Sequence, residues 1–422
     1  MGKSTNALWL LGAMFAWSIG LHFKVEAAAP SSLDINARLK LLNKPAVKTI
    51  KSEDGDIIDC VDIYKQPAFD HPALKDHKIQ MAPSFIPESK NSKANKSEGV
   101  AAKSVISQIW HKSGNCPNGT IPIRRIRRQD LVRVASLKQF GTKPPSRFNL
   151  SFIPNVTTDN ITMTASDNRS VRNAALLATM GYNYIGAQAD INLWNPNVDL
   201  PDDFTTAQMW LKAGGGPTFE SVEAGWVVNP KLYGDKQSRL FAYWTKDAYK
   251  TTGCFDLTCS GFVQTGTQVA LGAALGPYSS EQGPQYVVNV GIFWDKSTGN
   301  WWLKVGNNIP IGYWPATLFD ALSHSAILVE WGGEVFSSEL RKAPHTATAM
   351  GSGDDASGLY GNAAFIQNLR IMDYSLTLKY PDFVSTVADE PYCYSALNYI
   401  KGYGVEPVFY FGGEGRRPPY CP

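Results

Sequence analysis

Two glutamates that lie close to glycines are the residues of this sequence best suited to hydrolytic chemistry. Glu223 lies in the segment 219–226, and Glu334 lies in the segment 329–336. Two carboxyl groups that come together can divide acid and base work, because like charges push their pKa values apart. The ionised glutamate would take a proton from a water molecule that attacks a carbonyl carbon. The protonated glutamate would hydrogen-bond the developing oxyanion and then protonate the leaving nitrogen.

The C-terminal half offers little support for other catalytic classes. Its two histidines are His324 and His345, and no G-x-S-x-G elbow accompanies either of them. The sequence also lacks a P-loop and the C-x-x-C and H-E-x-x-H spacings that are typical of zinc sites. We therefore predict no cofactor and no metal ion, and we expect both histidines to be ordinary structural residues.

Strand alternation assigns the glutamates of the two segments to faces of a sheet. In the first segment Glu223 shares a face with Gly225, whereas Glu220 lies on the other face. In the second segment Glu330 and Glu334 share a face, unless the two glycines between them form a bulge. The face of the strand therefore does not decide whether Glu330 or Glu334 is the better catalytic candidate.

The N-terminus, residues 1–27, has the pattern of a secretory signal. Lys3 gives a positive start, residues 7–20 are apolar, and residues 27–29 are small enough for cleavage. The apolar run is short for a membrane span, and no second run of about twenty apolar residues follows. We therefore expect a secreted, extracellular protein with no membrane association after signal removal. The small net charge of +3 argues against nucleic-acid binding.

The six cysteines predict three disulfides, because an even count in an oxidising compartment favours pairing over metal binding. Six cysteines allow fifteen pairings, so the sequence alone leaves the connectivity open. Proximity favours the pairs Cys254–Cys259, Cys60–Cys116 and Cys393–Cys421.

Glycosylation sequons and basic charge both concentrate in the first half of the chain. Residues 28–169 hold 22 Lys/Arg and 13 Asp/Glu, a net charge of +9, whereas residues 170–422 hold 16 and 23, a net charge of −7. This asymmetry suggests intramolecular pairing that weakens as carboxylates protonate, although both charge sets could instead be solvated. The six sequons begin at Asn95, Asn118, Asn149, Asn155, Asn160 and Asn168.

The sequence of the N-terminal region predicts a small α+β unit. Residues 33–45 predict a helix, and residues 47–64 predict a strand pair around the turn signal Asp54-Gly55. The polar, proline-containing stretches 66–104 and 141–170 are typical of linkers.

The pattern of residue types along the chain changes at about residue 176. Short runs of β-branched and aromatic residues then recur between clusters of Gly, Asn, Asp and Pro, and no long helical period appears. This pattern predicts an all-β domain, an antiparallel β-sandwich or jelly roll. We therefore divide the chain into a signal peptide (1–27), the small α+β unit with its glycosylated linker (28–168) and an all-β catalytic domain (169–422).

A series of short motifs runs in order through nearly the whole chain after the signal. The motifs occupy residues 42–50, 54–60, 66–72, 116–124, 191–196, 223–226, 229–245, 252–254, 259–264, 331–335, 350–353, 411–413 and 421–422. Together they resemble the plant neprosin family of secreted glutamic peptidases, with an activation peptide in the first half.

This resemblance implies a zymogen whose catalytic domain is a β-sandwich of lectin-like or glucanase-like topology. It also implies endoproteolysis at acid pH of polypeptides that are rich in proline, typically after Pro, and it identifies Glu223 and Glu334 as the catalytic pair. The activation peptide, 28–168, would then act as an intramolecular inhibitor. Because a proline ring suits an aromatic wall, we consider Trp226 and Trp331, which adjoin the two motifs, as substrate-binding candidates.

A carbohydrate function remains the alternative. The same fold and two carboxylates suit a cell-wall glycoside hydrolase, and tryptophan-rich sandwiches often bind sugars without cleaving them. A retaining glycosidase needs carboxyl groups about 5–5.5 Å apart, and Glu330 and Glu334 share the parity that such a pair requires.

Overall fold

The computed structural model describes residues 31–87, 102–104, 107–134, 136–145, 171–306 and 308–422. The signal segment 1–27, the boundary at 168/169 and five of the six sequon asparagines lie outside the described residues. Asn118 is the sequon residue that is described, and it is exposed in a turn. None of the helices in the described part of the chain has the length and apolar character needed to cross a membrane.

The described residues form three α-helices and eighteen strands. The helices are α1 (Ser32–Leu42), α2 (Arg128–Val132) and α3 (Pro230–Tyr233). The first strands are β1 (Ala46–Lys51), β2 (Ile57–Asp62), β3 (Lys103–Ser104) and β4 (Thr120–Arg124). The others are β5 (Val171–Asn192), β6 (Phe204–Ala213), β7 (Glu220–Val228), β8 (Arg239–Thr245), β9 (Val263–Gln264), β10 (Tyr286–Trp294), β11 (Trp301–Val305), β12 (Ile309–Trp314), β13 (Ala326–Ser337), β14 (Ala364–Asp373), β15 (Leu378–Lys379), β16 (Ser385–Ala388), β17 (Ser395–Tyr399) and β18 (Val408–Gly412).

Short 3₁₀ helices complete the described secondary structure. They are Ile63–Lys65, Pro67–Asp70, Pro72–Leu74, Ile109–Ser113, Leu137–Gln139, Gly216–Thr218, Ala316–Leu318, Ala321–Ser323 and Ala356–Gly358.

The N-terminal region is a small α+β unit, as predicted. Ser31 caps α1 by accepting the Asp34 N–H, and the Asp34 carboxylate accepts the Ser31 N–H in return. Strands β1, β2 and β4 form a three-stranded antiparallel sheet. The hairpin between β1 and β2 turns at Gly55, whose φ of +89° favours glycine. A Cys60–Cys116 disulfide ties β2 to the segment before β4.

The C-terminal region is a large antiparallel sheet that curls on itself, which confirms the predicted all-β class. Its main order is β8-β7-β6-β13-β5-β10-β11-β12-β9. The 22-residue strand β5 explains the curl, because it pairs with β13 and β16 through its first half and with β10 and β14 through its second half. All the strand pairings in the described residues are antiparallel except the short contact of β3 with β10. The curled layers enclose a core that contains four fully buried tryptophans: Trp226, Trp301, Trp314 and Trp331.

The N-terminal unit packs on the face of β6, β7, β8 and β13 that is turned away from this core. Its apolar contacts form a second cluster in which N-terminal side chains meet sheet side chains. The N-terminal members are Ile35, Leu42, Ile126, Leu131, Val134 and Phe140, and the sheet members include Phe204, Val227, Phe241, Tyr243 and Phe336. The cluster covers the sheet where the candidate glutamates lie.

The linker prediction for residues 66–104 is wrong for residues 66–87, which contact the large sheet, and for the described residues 102–104, which include a strand of that sheet. Gln66 donates to the Gln264 carbonyl at 3.0 Å, and Gln80 donates to Asp295 at 2.8 Å. His77 contacts the Tyr313 hydroxyl at 2.8 Å. Polar composition suggested a loose segment, but these polar side chains satisfy polar groups of the large sheet instead.

Candidate active site

Glu223 and Glu334 lie on one face of three adjacent strands. Strand β6 lies between β7 and β13, with Trp210 of β6 opposite Glu223 and Thr206 opposite Glu334. Gln208 lies midway between these two positions of β6, so Glu223, Gln208 and Glu334 form a diagonal across the sheet. Both glutamates are buried, with 0% and 6% of their surface exposed. The structure thus brings together the pair that the sequence analysis selected.

Lys143 joins the two glutamates. Its ammonium nitrogen, Nζ, lies 2.7 Å from Glu223 Oε2 and 2.9 Å from Glu334 Oε2, and its side chain is completely buried. Lys143 comes from the N-terminal region, many residues before either glutamate. A water molecule at the position of Nζ would lie within hydrogen-bond distance of both carboxylates, which is the position that a shared nucleophile needs.

Glu334 has a second cation and an amide as partners. Arg172 Nη1 donates to Glu334 Oε1 at 2.8 Å, and Gln208 Nε2 donates to Glu334 Oε2 at 3.2 Å. Burial opposes ionisation, but the charges of Lys143 and Arg172 outweigh it and lower the pKa of Glu334 to about 2. Glu334 is therefore ionised in this structure.

Glu223 has neutral partners apart from Lys143. Ser221 Oγ donates to Glu223 Oε1 at 2.6 Å, and the Tyr249 hydroxyl donates to the same oxygen. Burial and the charge of Glu223 hold the pKa of Tyr249 well above its usual value, so this hydroxyl keeps its proton. Among the described residues, Lys143 is the one cation in ion-pair contact with Glu223.

Aromatic rings surround the Lys143 ammonium. The ring centroids lie 5.2–5.9 Å from Nζ and belong to Trp210, Phe241, Tyr243, Tyr249 and Phe255. Such distances allow cation–π attraction, which is strongest where water is excluded.

The backbone next to Lys143 is held on the sheet. The Lys143 N–H donates to the Tyr243 hydroxyl at 2.9 Å, and the Phe255 N–H donates to the Gly141 carbonyl at 2.7 Å. Gly141 has a φ of +77°, and a Cβ at this position would lie 2.0 Å from Thr258 Oγ1. The prediction of a linker at 141–170 missed this contact, because one lysine in a polar stretch carries no distinguishing signal.

The other glutamates of the two segments have separate partners. Glu220 lies on the opposite face, as alternation predicted, and accepts the N–H groups of Asp320 at 2.9 Å and Leu322 at 2.8 Å. Glu330 shares the face of Glu334, but Lys212 Nζ lies 2.5 Å from its Oε2. Glu330 is therefore neutralised by a lysine of the neighbouring strand.

The structure does not bring Trp226 or Trp331 into this cleft, so their assignment as substrate-binding residues is corrected. Both side chains are fully buried in the core on the opposite face of the sheet. Each tryptophan is three residues from its glutamate, and an odd spacing in a strand reverses the face. The aromatic wall beside the glutamates includes Trp210 instead, which sequence adjacency did not indicate.

The three disulfides have the predicted pairing, Cys60–Cys116, Cys254–Cys259 and Cys393–Cys421. The Cys254–Cys259 bridge closes the loop that carries Phe255 and Thr258 to the cleft. Among the described residues, one group of three potential metal ligands occurs, His345 with Cys393 and Cys421. Its two sulfurs are joined in a disulfide and are not available as thiolates.

Two family models match the chain. The model described as Neprosin matches residues 201–414, and the model described as Neprosin activation peptide matches residues 49–166. The chain belongs to the neprosin family. Both glutamates lie in the first match and Lys143 lies in the second, so the cation that bridges the glutamates is supplied by the activation peptide. The membership confirms the expectation of a glutamic-type peptidase with an N-terminal activation peptide.

Several solved structures share a distant likeness with this neprosin-family chain. Scytalido-glutamic peptidase with a transition-state analogue inhibitor is 9% identical and covers 58% of this chain and 100% of its own, with a TM-score of 0.32. A member of the eqolisin family of peptidases in complex with a tripeptide is 8% identical, covers 58% and 98%, and has a TM-score of 0.28. A β-porphyranase from the human gut bacterium Bacteroides plebeius is 10% identical, covers 40% and 61%, and has a TM-score of 0.22. TM-scores this low do not support any conclusion about function.

Proposed function

We propose that this protein is the latent precursor of a secreted, acid-active glutamic endopeptidase that cuts polypeptides at proline-containing sites. One observation carries the proposal: the ammonium group of Lys143, in the activation peptide, bridges Glu223 and Glu334. The contact supports both parts of the proposal, because two carboxyl groups converge on one point and a residue of the activation peptide occupies that point.

The chemistry follows from what replaces the lysine. When the activation peptide leaves, a water molecule can take the position of the ammonium nitrogen and hydrogen-bond both carboxyl groups. One glutamate accepts a proton from this water as its oxygen bonds to the carbonyl carbon of the substrate. The other glutamate hydrogen-bonds the carbonyl oxygen and then gives its proton to the leaving nitrogen as the C–N bond breaks. Acid activity is expected, because one carboxyl group must hold its proton.

A second ionic contact supports latency. Asp56 of the activation peptide lies 2.7 Å from Nη1 of Arg239, a completely buried arginine of the matched Neprosin region. Burial opposes ionisation of Asp56, but Arg239 and Arg124 prevail and lower its pKa. A carboxylate whose pKa is depressed by docking stabilises the docked state above its ordinary pKa, and this stability is lost as the pH falls through the docked pKa. Acidification therefore loosens the activation peptide.

The path of the activation peptide supports a preference for proline. Pro144 and Pro145 follow Lys143 directly as the chain leaves the cleft, and Pro144 is half-buried there. The aromatic rings around Lys143 offer flat apolar surfaces against which a proline ring can pack. These surfaces support the proposed preference for proline next to the two glutamates.

The extracellular location is part of the proposal. Three disulfides suit an oxidising compartment, and the exposed Asn118 is accessible for glycosylation. An acidic extracellular fluid such as the apoplast would supply both the oxidising conditions and the protons that activation requires.

A direct assay separates this function from the carbohydrate alternative. The secreted full-length precursor is acidified and incubated with a proline-rich peptide and, in parallel, with β-glucan, and the products are identified by mass spectrometry. We expect cleavage of the peptide next to proline and an intact glucan. Cleavage of the glucan, or binding of it without any peptide cleavage, would overturn the peptidase proposal in favour of a carbohydrate-active protein.

A further inference from the structure

We propose that Arg172 is a positioning residue that assigns unequal roles to the two glutamates, keeping Glu334 as the ionised general base and leaving the proton on Glu223. This inference rests on the proposed peptidase function. It goes beyond that function, because the pair of glutamates alone does not say which is the acid and which is the base.

Arg172 contacts both halves of the site. Its Nη1 donates to Glu334 Oε1 at 2.8 Å, and its guanidinium lies 4.0 Å from the centroid of the Tyr249 ring. Tyr249 in turn donates its hydroxyl to Glu223. One side chain, of which 5% is exposed, therefore fixes the carboxylate of one glutamate and the hydroxyl that contacts the other.

The asymmetry persists after activation. Lys143 is supplied by the activation peptide and departs with it, whereas Arg172 is the second residue of β5 and belongs to the large sheet. Glu334 then keeps a cation, while Glu223 keeps the hydroxyls of Ser221 and Tyr249. A guanidinium favours the ionised form of a carboxyl group far more than a neutral hydroxyl does. The direct contact of Arg172 with Glu334 therefore favours the ionised form of Glu334 over that of Glu223.

The other charged and titratable groups near the site leave this asymmetry in place. Lys212 contributes to the field at Glu334, but its ammonium is paired with Glu330 at 2.5 Å. Tyr243 and Tyr249 stay protonated, because burial raises the pKa of both hydroxyls. Arg172 is thus, among the described residues, the cation that acts on Glu334 through direct contact once Lys143 has gone.

The inference constrains maturation. Any cut that releases the activation peptide must fall before Arg172, because loss of Arg172 would remove the cation that keeps Glu334 ionised. N-terminal sequencing of the active enzyme checks this directly, and an active form that begins after residue 172 would overturn the inference.

The decisive test is the pH profile of kcat/KM for the mature enzyme carrying Arg172→Met, with Arg172→Lys as the charge-preserving variant. The acid limb of the profile reports ionisation of the base, so Arg172→Met should move it upward by about 1–3 pH units and move the alkaline limb by less, because Arg172 contacts Glu334 directly and acts on Glu223 only through its field. Arg172→Lys should restore most of the wild-type limb. Tyr249→Phe is the matched control on the other glutamate, and it should move the alkaline limb and leave the acid limb unchanged.

Each outcome supports or overturns the role of Arg172. If Arg172→Met moves the alkaline limb more than the acid limb, the roles of the glutamates are reversed. If neither Arg172 variant moves either limb and only the amount of folded enzyme falls, Arg172 is merely structural. Should Arg172→Met fail to fold, Arg172→Gln takes its place: an acid limb identical to that of wild type would show a merely structural residue, and an upward shift of that limb would support the positioning role. Failure of the peptidase proposal is distinguishable, because the wild-type enzyme would then cleave no peptide.

Discussion

Replacing Lys143 by methionine in the full-length precursor tests the proposed basis of latency. Methionine keeps an unbranched apolar stem among the surrounding rings and removes only the positive charge. In the present structure the ammonium group forms two contacts shorter than 3 Å with carboxylates that are almost completely buried. The variant therefore leaves two buried carboxyl groups facing each other without the cation that bridges them.

The expected magnitude follows from these contacts. Removing one partner from a buried ion pair costs about 3–5 kcal/mol, and each 1.36 kcal/mol is a factor of ten in an equilibrium. The pKa of Glu334 gives a similar figure: it is about 2 with Lys143 and Arg172 in place, against an ordinary value of 4.5. That difference corresponds to about 3 kcal/mol, of which Arg172 supplies a part. We expect the open fraction of the uncleaved precursor to rise by about a hundredfold.

The sign of the pH dependence follows from the same shift. A depressed carboxyl pKa means that Lys143 stabilises docking fully above the ordinary pKa of Glu334. This stability is lost as the pH falls from 4.5 towards 2. Wild-type precursor should therefore open progressively in this range, whereas the Lys143→Met precursor should already cleave peptide at higher pH.

The assay is the initial rate of cleavage of a fluorogenic proline-containing peptide, measured before any processing of the precursor is visible on a gel. Lys138→Met is the matched control, because Lys138 belongs to the same segment and is exposed. We expect the control to stay latent. A Lys143→Met precursor that remains as latent as wild type across the whole pH range would refute the role of the ammonium bridge.

Three further predictions concern the glutamates and the docking of the activation peptide. Glu223→Gln and Glu334→Gln should each lower kcat by about 10²–10⁴, measured with the mature enzyme, while the exposed Glu281→Gln leaves it unchanged. Asp56→Asn removes one of the two carboxylates that pair with the buried Arg239 and leaves Asp235 as the other, so the pH at which half the precursor is processed should rise. Gly141→Ala places a Cβ 2.0 Å from the Thr258 hydroxyl oxygen at a φ of +77°, and it should increase the basal activity of the uncleaved precursor.

The parts of the fold and site that depend on local periodicity could be predicted from the sequence. Alternation correctly separated Glu220 from Glu223, and the recurrence of short apolar runs correctly indicated an antiparallel all-β domain. Alternation along a strand also places Trp226 and Trp331 on the core face. Their adjacency to the glutamate motifs suggested the opposite face. The face of a side chain is decided by odd or even spacing, whereas adjacency along the chain favours the wrong face in a strand.

The parts that depend on contacts between distant segments could not be predicted. Nothing local distinguishes Lys143 from other lysines of a polar stretch, and its partners lie 80 and 191 residues away along the chain. The neutralisation of Glu330 by Lys212 likewise depends on the register of β6 against β13. The sequence left Glu330 and Glu334 equivalent in parity, and it is the pattern of neighbouring cations that separates them.

In the proposed mechanism the same two carboxylates bind the Lys143 ammonium and perform the chemistry, and this shared use would couple latency to catalysis. The position of the Lys143 ammonium is also the position in which a nucleophilic water would contact both glutamates, so an inhibited site cannot hold the attacking water. Placing a proton on one carboxyl group weakens its attraction for the lysine and at the same time produces the acid that catalysis needs. Acidification would therefore loosen the contact with the inhibitor and supply the proton for catalysis, and after release of Lys143 the contact with Arg172 favours the ionised form of Glu334.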